Sequence, residues 1–125
     1  MYVLDSNALI EFLEDGPRAS KVLSVVGDEP LVTTSISMHE VLAGSMSDKS
    51  RFILENIFSS MRVLEHDAQA ARLSAAIERE QYRMGAKIND ADILIAGICK
   101  ANNAELVTLD SDFTKIKGFK FKFVK

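Results

Sequence analysis

Asp5, Glu40, Asp92 and Asp110 are the side chains of this sequence best suited to chemistry, because each acid stands where a strand gives way to a helix or on a helix flanked by apolar residues. Asp5 ends the β-rich start of VLDSNALI, and Asp110 ends a similar stretch in ELVTLDSDF. If those two strands are neighbours, both carboxylates open into one crevice at the carboxyl end of the sheet, where open α/β sheets place their ligands. Asp92 sits in the first turn of INDADILIAG, beside an almost wholly apolar run from Ile93 to Cys99. Glu40, in SISMHEVLAGS, comes four residues after Ile36 and three before Ala43, on the apolar and small-residue side of its helix. Asp90 competes with Asp92, and Asp112 with Asp110, for the same roles.

Each acid alone has an ordinary explanation. Asp5 and Asp110 would cap following helices, and Asp90 and Asp92 would complement a helix dipole, an effect of ~0.3–1 kcal/mol. The combination is harder to explain. Two carboxylates ~5 Å apart repel by ~3 kcal/mol at an effective dielectric of 20, so four in one crevice call for a cation or raised pKa values. An all-oxygen ligand set selects a hard cation, Mg²⁺ with Mn²⁺ as the alternative, and such an ion promotes phosphodiester hydrolysis by activating water and neutralising phosphoryl charge. The hydroxyls of Ser6, Ser111 and Thr108 are candidates for orienting water around it. No P-loop, GxGxxG, GxSxG or HExxH pattern offers a rival apparatus.

The elements that must position these residues alternate. Strands are predicted at Tyr2–Leu4, Leu31–Thr34, Glu105–Leu109 and Phe119–Val124, with a weaker one at Arg62–Leu64. Helices are predicted over Ala8–Leu13, Pro17–Val26 (Pro17 in its first turn), Ser50–Met61, Asp67–Met84 and Asp90–Ala101, in addition to the one carrying Glu40. In Asp67–Met84 the apolar stripe is Ala70, Leu73, Ile77 and Met84. Gly85 should end that helix, and Asn89 should cap the next. This alternation predicts an α/β fold, a three-layer α/β/α sandwich with a mostly parallel central sheet. At 125 residues the chain fits one domain, 1–125.

Composition narrows the function further. A single cysteine, Cys99, excludes a disulfide framework and a cysteine-rich zinc site, and is expected to pack as a small hydrophobe. Two histidines, His39 and His66, argue against a histidine metal site. No basic-then-apolar leader opens the chain, which suits a cytoplasmic protein, and no apolar run approaches the ~20 residues of a membrane span. Charge is unevenly spread: residues 1–114 carry ten Lys and Arg against all eighteen acids, a net of −8, while Lys115, Lys117, Lys120, Lys122 and Lys125 give the tail +5. A solvated edge strand protected by lysines explains that tail, and a nucleic-acid contact is the sharper alternative.

In order and spacing these motifs resemble the PIN domain, and the small size resembles its VapC-type toxins of prokaryotic toxin–antitoxin pairs. Leu4-Asp5-Ser6-Asn7-Ala8-Leu9-Ile10 is similar to the family's opening motif, Glu40 in HEVLAG to its middle acid, Asp92-Ile93-Leu94-Ile95-Ala96 to its D-x-x-I-A segment, and Leu106 through Phe113 to its strand-terminal segment. The resemblance implies a Mg²⁺- or Mn²⁺-dependent endoribonuclease with Asp5, Glu40, Asp92 and Asp110 around the cation, Glu40 activating water, and Ser6, Asn7, Asp90, Thr108 and Asp112 as auxiliaries. It also implies an RNA substrate (tRNA, rRNA or mRNA), a homodimer and a VapB-like antitoxin. Arg83 and Lys87, just before the Asp92 helix, are the candidate RNA contacts. Ile53, Ile57, Phe58, Met61, Phe12 and Leu13 offer apolar surface either for partners or for the protein's own core. The competing readings are an RNA-processing nuclease of the same fold without an antitoxin, and a non-catalytic binding protein.

Overall fold

The computed structural model describes all 125 residues. Five short strands, β1 (Tyr2–Leu4), β2 (Val32–Thr34), β3 (Arg62–Leu64), β4 (Glu105–Thr108) and β5 (Lys120–Phe123), alternate with six helices. These are α1 (Ser6–Leu13), α2 (Ala19–Val26), α3 (Ser35–Gly44), α4 (Asp48–Ser59), α5 (Ala68–Arg83) and α6 (Asp90–Ala101), and a 3-10 helix spans Ser111–Lys115. All strand pairs are parallel. β1 pairs with β4, which pairs with β5, while β2 pairs with β3. The two sheets meet where β2 lies along β1, joined by the buried Thr33 hydroxyl, which donates to the Leu4 carbonyl at 2.7 Å.

Alternation along the strands produces two cores. Val3 and Leu106 face one side with Ile77, Ile93 and Ile98, whereas Leu4 and Val107 face the other with Leu9, Val22, Val41 and Phe58. Helices α5 and α6 cover the first face, and α1 through α4 supply the second. This is the expected three-layer α/β/α sandwich around a parallel sheet. β5 is an edge strand, and its Lys120 and Lys122 are exposed. No helix is long and apolar enough to cross a membrane.

Local chemistry sets the helix boundaries. The side chains of Asp5, Thr34, Ser47, Asp67 and Asn89 each accept a backbone N–H in the first turn of the following helix. The Ser47 cap starts α4 two residues before its predicted start. Pro17 falls outside α2, which begins at Ala19 after a turn in which the Arg18 N–H donates to Glu11 Oε1 at 2.7 Å. Gly85, at φ +68, terminates α5: its N–H and that of Ala86 reach back to the Tyr82 and Gln81 carbonyls, the paired bonds of a Schellman end. On α5 the buried face is Ala70, Ser74, Ile77 and Gln81. Met84 is 40 % exposed, contrary to the predicted stripe, because the polar Ser74 and Gln81 find partners inside, in His66 and the Lys115 carbonyl. Cys99 is fully buried among apolar side chains, as expected.

The α5–α6 contact sets where Asp92 stands. At Gly97 of α6 an added Cβ would lie 2.6 Å from the Ser74 Cβ and 2.9 Å from the Ala70 carbonyl oxygen, so only glycine lets the helices approach this closely. Overpacking of this kind costs ~1–3 kcal/mol, partly offset by the better helix propensity of alanine. Gly97→Ala should therefore lower stability by roughly 1–2 kcal/mol in urea denaturation; an equal or raised midpoint would show that the helix pair separates freely.

Candidate metal centre

Because β1 and β4 are adjacent and parallel, with Leu4 opposite Val107, the residues leaving their carboxyl ends emerge side by side. They open into a cleft of about 150 Å³ lined by Asp5, Ser6, Asn7, Glu40, Asn89, Asp92, Ile95, Asp110 and Asp112. All four primary acids are therefore brought together from four separate parts of the chain.

Their environments differ. Asp5 is 4 % exposed and has a structural as well as a site role: Oδ1 accepts the Ala8 N–H at 2.9 Å, capping α1, and Oδ2 accepts the Thr108 hydroxyl. The same Thr108 oxygen accepts the Asp110 N–H at 3.0 Å, so one buried hydroxyl joins the two strand ends. Asp110 in turn accepts the Asp112 N–H at 2.9 Å and caps the 3-10 helix. Asp92 is half-buried, while Glu40 is exposed at the rim, where the Ser6 hydroxyl lies 3.5 Å from its Oε1.

Burial and, after it, mutual repulsion weaken two of these acids. Burial pushes the Asp5 carboxyl up to about 6 against the hydrogen bonds from Thr108 and Ala8, with Asp110 and Glu40 adding to the rise. Asp92 is also raised to about 6, first by burial and then by the charges of Asp110, Glu40, Asp5 and Asp112. One carboxylate oxygen each from Asp92, Asp110 and Asp112 lies within 4.8 Å of the others. An all-oxygen trio with one member destabilised as an anion fits a hard divalent cation. Asp92, Asp110 and Asp112 would hold it, with Asp5 and Glu40 adding negative charge around them.

The structure also sorts the remaining candidates. Asp112 and Asp110 both line the cleft, so they are partners rather than alternatives. Asp90 is exposed and points instead into a separate groove with Gln81, Tyr82, Lys87 and Ile88. Lys87 belongs to that groove, and Arg83 lies beside it, paired with Glu80 at 2.9 Å; neither lines the cleft. Thr108 does not orient water, because it is fully buried and its hydroxyl is committed to Asp5 and Asp110. Ser111 is exposed outside the cleft lining, whereas Ser6 and Asn7 are within it. Sequence reasoning treated Asn89 only as a cap and missed Ile95. Both stand three residues from Asp92, a helical spacing that puts them on its face.

The fold and this cleft define the class: the model of the family described as PIN domain matches residues 2–118, and the chain belongs to the PIN domain family. Among its relatives is the tRNA(fMet)-specific endonuclease VapC of Shigella flexneri, 23% identical over 124 residues, covering 95% of this chain and 94% of that protein. The protein of the same name from Salmonella typhimurium is 24% identical over 126 residues, covering 97% and 96%. The fold is also that of VapBC2 from Rickettsia felis, solved bound to a DNA fragment from its promoter, with a TM-score of 0.83 at 21% identity over 99% of this chain and 98% of that one.

The raised acids make stability depend on pH with a definite sign. Asp5 and Asp92 titrate near 6 in the folded state and near 3.8 when unfolded, so between those values the folded state holds more protons. Their contribution is fully present below about pH 4 and is lost as pH rises through 6. In EDTA, Asp5→Asn should therefore raise the melting temperature at pH 8 relative to the unsubstituted protein and have little effect at pH 4. Mg²⁺ or Mn²⁺ should stabilise the unsubstituted protein more at pH 8 than at pH 5, because protons and cation compete for the same oxygens. Scanning calorimetry showing no such difference would mean that protons and the cation do not compete for these oxygens.

Proposed function

We propose that this protein is a metal-dependent endoribonuclease, the toxin of a type II VapBC-like pair. The observation that carries the reading is the convergence of Asp5, Glu40, Asp92, Asp110 and Asp112 in one cleft with two acids held at raised pKa. Membership of the PIN domain family and the endonuclease names of its relatives support it.

Bound by Asp92, Asp110 and Asp112, Mg²⁺ or Mn²⁺ supplies a counter-charge for the phosphodiester and a lowered pKa for water. The chain does the rest by position. Asp5, fixed at both oxygens by Ala8 and Thr108, holds negative charge at the cleft floor without conformational freedom. Glu40, exposed at the rim, is the acid free to take a proton from the attacking water. Ser6 and Asn7 offer hydrogen-bonding groups to the phosphate. The names of the relatives make tRNA the first substrate to try.

An antitoxin and a second copy are the proposed partners. Among the apolar candidates Phe58 is core and Phe12, Leu13 and Met61 pack against it, but Ile53 is 48 % exposed and joins Leu13, Leu54 and Ile57 in a groove. A neighbouring groove lined by Ile10, Leu13 and Leu54 includes Glu40, so an apolar segment seated there would reach the acidic rim with a basic side chain.

Purified protein should cleave RNA with Mg²⁺ or Mn²⁺ and not in EDTA. Asp92→Asn should lower the cleavage rate by at least a hundredfold with the circular dichroism spectrum unchanged, and Asp5→Asn should do likewise. Retention of wild-type rates by both variants, in gel assays of tRNA ends, would remove the cleft from the reaction.

A further inference from the structure

An RNA approaching this protein meets a net charge of −3 and a cleft of carboxylates, so attraction has to come from a local surface. Screening makes local charge decisive, since the Debye length is ~8–10 Å at physiological salt, well under the width of a domain. One side of the molecule gathers lysines with almost no acid among them.

That side is the β5 edge. Lys115, Lys117, Lys120, Lys122 and Lys125 are all exposed, and residues 113–125 contain no acid. Lys100, from the end of α6, joins them, its Nζ about 3.6 Å from where a Cβ on Gly118 would lie. Of these six, Lys115 pairs with Asp112 at 3.3 Å and Lys122 approaches Glu105 at 3.9 Å, while Lys100, Lys117, Lys120 and Lys125 have no acidic partner. Protection of an edge strand comes from charges on the strand itself. Here the lysines continue beyond β5 at both ends, more than that role requires.

Position ties the strip to the cleft. Lys115 contacts Asp112, which lines the cleft, and the chain then runs through Lys117 to the start of β5 opposite Glu105. β5 is parallel to β4, so it returns toward the end where the acids emerge: Phe123 lies opposite Thr108, and the Val124 N–H donates to the Thr108 carbonyl at 2.8 Å. Of two adjoining grooves beside Tyr82, one mixes Lys87 with Glu78 and Asp90, and the other sets Arg79 and Arg83 beside Glu78, with Arg83 paired to Glu80. In both grooves the cations are interspersed with acids.

We infer that the lysine-lined β5 edge is a docking track for the phosphate backbone of single-stranded RNA running into the acidic cleft. The inference rests on the nuclease reading for what happens at the cleft, but binding along the track is measurable without cleavage. The interaction is sequence-independent, because ammonium groups on phosphates carry no base information.

The test uses the full chain with Lys117→Glu and Lys120→Glu together, which reverses the charge at two positions and cuts the tail from +5 to +1 while keeping charged side chains on the edge, and Lys117→Arg with Lys120→Arg as the conservative control. Binding of a fluorescein-labelled uridine 20-mer, followed by anisotropy in Asp92→Asn backgrounds, should weaken at least tenfold for the glutamate pair and stay near wild type for the arginine pair. The slope of log affinity against log salt should fall in magnitude by ~1.4, about 0.7 for each single-strand phosphate that a lysine no longer neutralises. In the otherwise unsubstituted protein the glutamate pair should raise KM for RNA and leave kcat unchanged, with the melting temperature and elution volume unaltered. Unchanged affinity, slope and KM would overturn the track while leaving a cleaving enzyme standing. Lysine-dependent binding in a protein that cleaves no RNA would support the track and end the nuclease reading instead.

Discussion

The parallel pairing of β1 with β4 is the constraint on which the rest of this structure depends, because it places two chain reversals, one after Leu4 and one after Thr108, next to each other at one end of the sheet. The residues at those reversals are acids. A single buried hydroxyl, that of Thr108, donates to the Asp5 carboxylate and accepts the Asp110 N–H, so the pairing of the strands and the placement of the carboxylates are one hydrogen-bonded unit. Strand order supplies the crevice: the chain leaves β1 toward β2 on one side, while β4 lies on the other.

Bringing the acids together opposes stability. Burial and neighbouring anions raise Asp5 and Asp92 to about 6, so near neutral pH the fold holds both carboxylates in a form it disfavours. The surrounding elements absorb that strain through local satisfaction: Asp5 doubles as the cap of α1, Asp110 as the cap of the 3-10 helix, and Asn89 fixes the first turn of α6, from which Asp92 projects. Tight α5–α6 packing over Gly97 holds that turn in place from the other side of the helix. Trading stability for a charged site is a common arrangement where a ligand neutralises what the protein alone cannot.

Charge segregation is the second organising feature. Acids cluster at the carboxyl ends of β1 and β4 and along the helices, while the last eleven residues carry lysine and no acid. A nearly neutral total therefore conceals opposed regions, and the edge strand that needs protection from aggregation also carries exposed lysines and no acid.

Much of this was legible in the residue order. Every strand, including the short Arg62–Leu64, and the presence of each α-helix were legible, though not every boundary, because those signals are local: a residue just before a helix caps it by accepting an N–H of the first turn whatever the rest of the chain does. The site residues were legible as types, acids at strand ends and in a first helical turn. Convergence was not, since nothing local states that β1 lies against β4. Tertiary structure alone decided that Asp112 joins Asp110 while Asp90 turns to another groove, that Thr108 serves the carboxylates and not water, and that Gln81 lies inside where Met84 was expected. For Gln81 and Thr108 the deciding partner, the Lys115 carbonyl or the Asp5 carboxylate, lies tens of residues away along the chain, and only packing determines which distant groups meet.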